Sequence, residues 1–271
     1  MRVRWIAAAL TLALCFSLAA CGHPPVSEEQ EQELTILRIG SDDYEPYSYL
    51  DETGDFIGID VDLAKEACRR LGYRPEFHQV VWENKDQELA AGNIDCLWGS
   101  FTMTGREDLY QWAGPYLYSR QMVLVQADSD IATLADLAGK RVAVQATSKP
   151  ETVFLERPEP ERVPKVGEVY CFSSMEEVYS AIRKDFVDAI AGHEGAIRTF
   201  MEDSPGSWRI LDQSLMVSGL GVAFPKGTNE RLSAQLTAVL QEMQKDGTTK
   251  AIVEKYGFDP DQFFLGRGGS S

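Results

Sequence analysis

Arg141-Val142-Ala143-Val144-Gln145-Ala146-Thr147-Ser148-Lys149-Pro150-Glu151 holds a strand, a turn and a helix start in one short run. Val142, Ala143 and Val144 are apolar and flanked by polar residues, the length of a buried strand over 141–145. Ser148-Lys149-Pro150-Glu151 then reads as a capping box, S/T-x-x-E, so a helix is predicted over 148–156. Thr104-Gly105-Arg106-Glu107 repeats the device after an apolar run at 94–98, which predicts another helix over 104–110. Both helices then start at the carboxyl ends of strands, where open α/β sheets bind their ligands.

The same rhythm extends in both directions. Toward the N-terminus, strands are predicted over 35–39, 75–81 and 94–98, with helices over 60–71 and 87–91 and Asp60 as an N-cap. A strand over 122–126 ends this first set. The pattern then restarts with a short helix over 131–138, closed by Gly139. Strands over 168–172, 187–191 and 220–225 alternate with helices over 175–184 and 195–201, and helices over 229–245 and 248–256 end the chain. Alternating strand and helix predicts α/β layers with mostly parallel sheets. Two sets of this size predict two lobes. Arg157–Pro164 is proline-rich, yet the rhythm continues across it, so it reads as a surface loop.

The N-terminus reads differently. Met1-Arg2-Val3-Arg4 is basic, and Trp5–Leu18 is an apolar run of about 14 residues, short for a membrane span but right for a signal peptide over 1–20. Leu18-Ala19-Ala20-Cys21 follows, small residues before a cysteine. Residues 21–34 carry two prolines and a run of glutamates and glutamines, the composition of a disordered tether. A flexible tail is expected over 263–271. The chain has 271 residues and a formal net charge of −16, with 44% apolar and 25% charged residues. That balance fits a globular fold, and so acidic a surface disfavours nucleic acid. Beyond Cys15 and Cys21 there remain Cys68, Cys96 and Cys171, read as buried, unpaired thiols.

Arg106 is the residue that points to chemistry. It falls in the first turn of a predicted helix, where the dipole favours anions over cations. A cation beside free helix N–H groups suggests a clamp for a carboxylate or phosphate. Aromatics gather at the same strand ends: Tyr44 and Tyr47, Trp82, and Trp98 with Phe101. No GxSxG, HExxH, P-loop or GxGxxG motif is present, and no cysteine or histidine pair has metal-ligand spacing. No metal and no cofactor is expected.

Together these residues resemble the bacterial extracellular solute-binding proteins of family 3. The resemblance is carried by Ile36–Gly40 with Tyr44-Glu45-Pro46-Tyr47, by Gly58–Ala64, by Trp82, Gly92 and Ile94-Asp95, and by Thr102-Met103-Thr104-Gly105-Arg106. It continues through Ala113–Tyr116, Leu137–Gln145, Val187-Asp188-Ala189 and Lys245–Thr248. Leu18–Cys21 is similar to the lipobox of bacterial lipoproteins, which implies acylation of Cys21. The family implies a periplasmic-binding-protein-like (type II) fold: lobe 1 over 35–124 and 219–262, lobe 2 over 125–218, joined by hinge strands at 121–125 and 220–224. It implies an α-amino-acid ligand, an ABC-transporter permease as partner, a monomer, and an extracytoplasmic site at the cell membrane. Residue by residue, Arg106 matches the grip on the α-carboxylate. Ser100, Thr102 and Thr104 match the lobe 1 wall. Thr147, Ser148 and Lys149 match the lobe 2 loop on the same carboxylate. Tyr44 matches the ring packed on the ligand, Asp42 a side-chain contact, and Trp82 belongs to the same cleft. Only Gly105 separates the threonine and the arginine, one residue fewer than the pattern has.

At the position the resemblance gives to an aspartate holding the α-ammonium stands His193, followed by Glu194. The reading is that Glu194, or another acid such as Asp42, supplies the charge while His193 lines the site. Two alternatives use the same fold. One is a cyclohexadienyl-dehydratase-like enzyme with Glu194 beside His193 as general acid. The other is the ligand-sensing partner of a receptor.

Overall fold

Two parallel strand sets face one another across an antiparallel pair in the computed structural model, which describes residues 34–264. The expected signal peptide, Cys21, nearly all of the tether and the last residues of the tail lie outside the described residues. In chain order the strands are β1 (Thr35–Ser41), β2 (Tyr49–Leu50), β3 (Phe56–Ile57), β4 (Tyr73–Gln79), β5 (Cys96–Leu97), β6 (Tyr110–Gln126), β7 (Arg141–Gln145), β8 (Glu168–Phe172), β9 (Ala189–His193), β10 (Trp208–Ile210) and β11 (Met216–Pro225). The helices are α1 (Ile59–Leu71), α2 (Lys85–Ala91), α3 (Lys149–Glu156), α4 (Met175–Arg183), α5 (Glu194–Asp203), α6 (Glu230–Lys245) and α7 (Thr248–Lys255).

The main sheet runs β4-β1-β5-β11-β6-β9-β7-β8, with β10 also on β6. β4, β1 and β5 are parallel, as are β9, β7 and β8. β11 and β6 join the two sets by antiparallel ladders. The two expected sheets are thus two halves of one hydrogen-bonded ladder. The device that unites them is β6, 17 residues long. It pairs with β11 from Tyr110 to Gln121, then with β9 from Gln121 to Leu124. This α/β arrangement is the two-lobed type II fold.

Three local expectations fail for physical reasons. Thr104–Leu109 forms turns, not a helix: Gly105 sits at φ +72°, Arg106 N–H bonds the Met103 carbonyl, and β6 begins at Tyr110. A Cβ at Gly105 would displace only the flexible end of Lys149, 2.7 Å away, so the glycine is required by its positive φ rather than by space. Residues 131–138 supply only a 3-10 turn at Leu134–Leu137, capped by Thr133 and Asp136. Asp60 is not an N-cap. It is the second residue of α1 and turns into the core, where its Oδ2 accepts from Ser100 N at 2.5 Å and Tyr116 Oη at 2.8 Å.

The core follows the apolar faces. α1 buries Ile59, Val61, Leu63, Ala64, Ala67 and Cys68, and ends at Gly72 in the left-handed region. Ile59, Val61 and Leu63 contribute about 1.5–3 kcal/mol each when fully buried. A separate aromatic group of Trp82, Phe101 and Tyr110, with Trp112 against it, backs one wall of the cleft described below. Cys68 and Cys96 are buried free thiols, but Cys171 is exposed, because β8 is an edge strand and residue 171 faces outward. The tail begins later than 263: Phe263 is buried and packs edge-on against Tyr47 and Phe258.

Candidate functional site

The carboxyl ends of the two parallel sets point at each other, and the space between them is a narrow cleft. Its walls are the residues that follow those strands. Asp42 and Tyr44 follow β1, Trp82 follows β4, and Ser100, Phe101 and Thr102 follow β5. Ser148 and Lys149 follow β7, and Gln145 and His193 end β7 and β9. This is the edge where α/β sheets bind ligands, because strand ends and helix starts leave backbone groups unpaired there.

One end of the cleft is cationic. Arg106 is partly buried, and its guanidinium donates to two backbone carbonyls, Thr147 at 2.9 Å and Thr102 at 3.3 Å. It also lies 5.1 Å from the centre of the Phe101 ring. Burial pulls its pKa down, the mark of a charge with little to pair with. Lys85 is buried as well; its Nζ donates to Thr147 Oγ1 at 2.9 Å and to the Trp82 carbonyl at 3.3 Å. Lys149, half-buried, has its pKa lowered by burial and then by Arg106. Thr147 and Ser100 both hold the left-handed backbone conformation, at φ 56° and 46°. Such strain in residues other than glycine gathers at ligand sites, where the surrounding structure enforces it. Here it turns the Thr147 carbonyl to Arg106 while its N–H bonds Glu151 Oε2 at 2.7 Å. Ser148 caps α3, accepting from Glu151 N.

The rest of the wall carries one acid and a neutral polar cluster. Asp42 accepts from Gln145 Nε2 at 2.7 Å, and burial pushes its carboxyl up to about 6. His193 is buried between the edges of Tyr44 and Tyr47. Its N–H donates to Tyr44 Oη at 3.0 Å, its Nδ1 lies 2.9 Å from Ser119 Oγ, and Gln121 Nε2 lies against the ring. Burial drives its pKa down to about 3, so the imidazole is neutral. Thr102 Oγ1 and Gln121 Oε1, both buried on the cleft wall, have no hydrogen-bond partner among the described residues. Buried polar atoms left open in this way are what a ligand's polar groups complete.

Of the residues singled out in the sequence, Asp42, Tyr44, Trp82, Ser100, Thr102, Arg106, Ser148, Lys149 and His193 line the cleft. Thr147 stands behind Arg106 rather than on the wall. Thr104 is outside, accepting from Ser218 Oγ at 2.9 Å. Glu194 is also outside. Its carboxylate is gripped by Arg120 at 2.6 Å on both oxygens and by Arg198 at 2.8 Å, and these hold it ionised despite burial. One position along α5 from His193 turns the side chain to the opposite side of β9. Lys85, Gln121, Gln145 and Met175 were missed. Gln145 ends β7 where Thr147 and Ser148 follow, so the strand-end rule reaches it. Gln121 is the polar residue immediately before the apolar run 122–125. Lys85 carries no such signal.

A cleft between two α/β lobes, lined by a partly buried guanidinium and a buried carboxylate, defines a solute-binding protein. Residues 37–259 match the bacterial extracellular solute-binding proteins, family 3, and the chain belongs to that family. The histidine-binding periplasmic protein of Salmonella typhimurium is 30% identical over 268 residues, covering 95% of this chain and 98% of that one. The crystal structure of Tv2483 bound to L-arginine has a TM-score of 0.77 at 27% identity, covering 86% of this chain and 95% of that one. The ancestral amino-acid-binding protein AncCDT-1, a precursor of cyclohexadienyl dehydratase, has a TM-score of 0.71 at 28% identity, covering 82% and 95%.

Proposed function

We propose that this protein captures an amino acid in the cleft by closure of its two lobes and delivers it to the permease of an ABC importer. The observation that carries the reading is Arg106, a partly buried guanidinium whose only bonded partners among the described residues are carbonyls. A ligand carboxylate in their place satisfies it bidentately and in low dielectric. Lobe 1 is taken as 35–124 and 219–262 and lobe 2 as 125–218, with β6 and β11 bending where β6 changes neighbours. Contacts across the cleft, Gln145 to Asp42 and Ser173 Oγ to Glu83 at 3.0 Å, fit closure of one wall on the other. The histidine-binding relative and the structural neighbour bound to L-arginine support the class of ligand. Titration calorimetry against the proteinogenic amino acids is expected to give at least one Kd below about 100 µM. At a hundred times its Kd that ligand adds about 2.7 kcal/mol to unfolding stability. No amino acid binding at that level overturns the reading.

The binding role is preferred to catalysis because Glu194, the acid nearest His193 in sequence, is tied up in ion pairs away from the cleft. Prephenate and arogenate are expected to pass unchanged over the purified protein. The protein acts as a monomer outside the cytoplasm, held to the membrane by acyl chains on Cys21. Two or three chains on one cysteine anchor stably, at about 0.8 kcal/mol per buried methylene. Cys21→Ser is expected to move the protein from the membrane fraction to the soluble one or to stall its processing. Unchanged fractionation and cleavage in that variant removes the anchor from the account.

A further inference from the structure

The cleft is lopsided in charge. Arg106 and Lys149 line it, and Lys85 stands just behind Thr147. Of the charged groups that line the wall itself, two are cations, Arg106 and Lys149, and one is a carboxylate, Asp42. The acids near the cationic end are occupied elsewhere. Asp86 lies 3.8 Å from Lys85 Nζ, and Glu151 accepts from the Thr147 N–H; neither lines the cleft. His193 adds no charge, since its buried ring meets the Ser119 hydroxyl, the Gln121 amide and two tyrosine rings.

We propose that the cleft takes amino acids carrying a single ammonium group and rejects those with a cationic side chain. The proposal rests on the amino-acid reading above and narrows it. With the α-carboxylate on Arg106, the α-ammonium has one ionic partner, Asp42. Gln121 Oε1, buried and without a hydrogen-bond partner among the described residues, completes its shell as a neutral acceptor. A second cation on the ligand is then enclosed with no acid to meet it, in a wall already bearing more positive than negative charge. An unpaired charge taken out of water is among the costliest arrangements a binding site can hold. Selection by a missing partner is also sharper than selection by size, because a pocket rejects an extra methylene only weakly.

Isosteric pairs isolate the charge: citrulline against arginine, and 2-aminoheptanoic acid against lysine. By calorimetry at pH 7.5, the neutral member of each pair is expected to bind about tenfold or more tightly than the cationic one. A smaller ratio in either pair overturns the proposal while leaving the amino-acid reading intact. Failure of every amino acid, these four included, overturns both. His193→Asp places a second carboxylate in the cleft wall. In the folded variant the arginine-to-citrulline ratio is expected to shift toward arginine by about tenfold or more. A ratio unchanged in that folded variant counts against the charge argument, and the wild-type ratios decide the matter if the variant does not fold.

Discussion

Alanine in place of Arg106 is expected to weaken amino-acid binding by about 30-fold to several thousandfold, the equivalent of ~2–5 kcal/mol. The size follows from what the substitution leaves behind. The ligand carboxylate stays desolvated between Thr102, Ser148 and Lys149 but loses its forked, charged partner. Lys85 and Lys149 lie close enough to soften the loss, so the lower part of the range applies where they reorient. Arg106→Lys keeps the charge and loses the planar fork, and falls between wild type and alanine. The fold survives either change, since Arg106 bonds only two carbonyls and packs on the face of Phe101. Calorimetry on the folded variants measures the effect, and a loss under about threefold for alanine refutes the clamp.

The second large effect is on stability. Burial pushes the Asp60 carboxyl up to about 7 and that of Asp42 up to about 6, both above the ordinary aspartate value. The folded chain therefore binds more protons than the unfolded chain between roughly pH 4 and 7. Stability is highest near the lower end of that window and declines as pH rises through the two folded values. Between pH 5 and 8 these two groups withdraw about 4 kcal/mol, while His193, neutral in the fold and protonated in the unfolded chain below its ordinary value, returns about 2, so the net loss is about 2 kcal/mol, read from urea midpoints at each pH. Glu66 and Asp246, held near 2 by arginine, threonine and backbone partners, act in the opposite sense but titrate below this window. Asp60→Asn retains an oxygen for Ser100 N–H and Tyr116 O–H and removes the larger contribution, so its profile is flatter. A midpoint that rises or stays level from pH 5 to 8 in the wild type contradicts the assignment.

Which parts of this were legible beforehand depends on the range of the interactions involved. Strands at 141–145 and 168–172 are visible from composition because their apolar runs are short, buried and bounded by polar residues. Ser148 announces α3 because capping is local chemistry. β6 was seen only in its last part. Its first part, Tyr110–Gln121, mixes aromatic, glycine, proline and polar residues, and becomes a strand through pairing with β11, which lies a hundred residues on. The turn at Thr104–Leu109 looked helical because S/T-x-x-E is a necessary feature of a capping box and not a sufficient one; Gly105 at positive φ decides against it. The site was readable where it hangs on strand ends, as with Asp42, Tyr44 and Ser148. It was not readable where a side chain's direction matters. Glu194 and His193 are neighbours in sequence and face different surroundings, one two arginines, the other the cleft. Lys85 reaches the cationic end from the first residue of α2, and only tertiary packing brings it there.

The position of β11 also sets an order of assembly. It lies between β5 and β6, yet it is the last strand to be made. Until residues 216–225 emerge, β5, only two residues long, has no neighbour on that flank, and the β4-β1-β5 set cannot join the rest of the sheet. The β9-β7-β8 set needs nothing beyond β6 and is complete once His193 has been delivered. A chain emerging from its N-terminus therefore finishes the half built from its middle before the half built from its two ends. The waiting half closes through the most sequence-distant contacts in the molecule, and such contacts set the pace of folding.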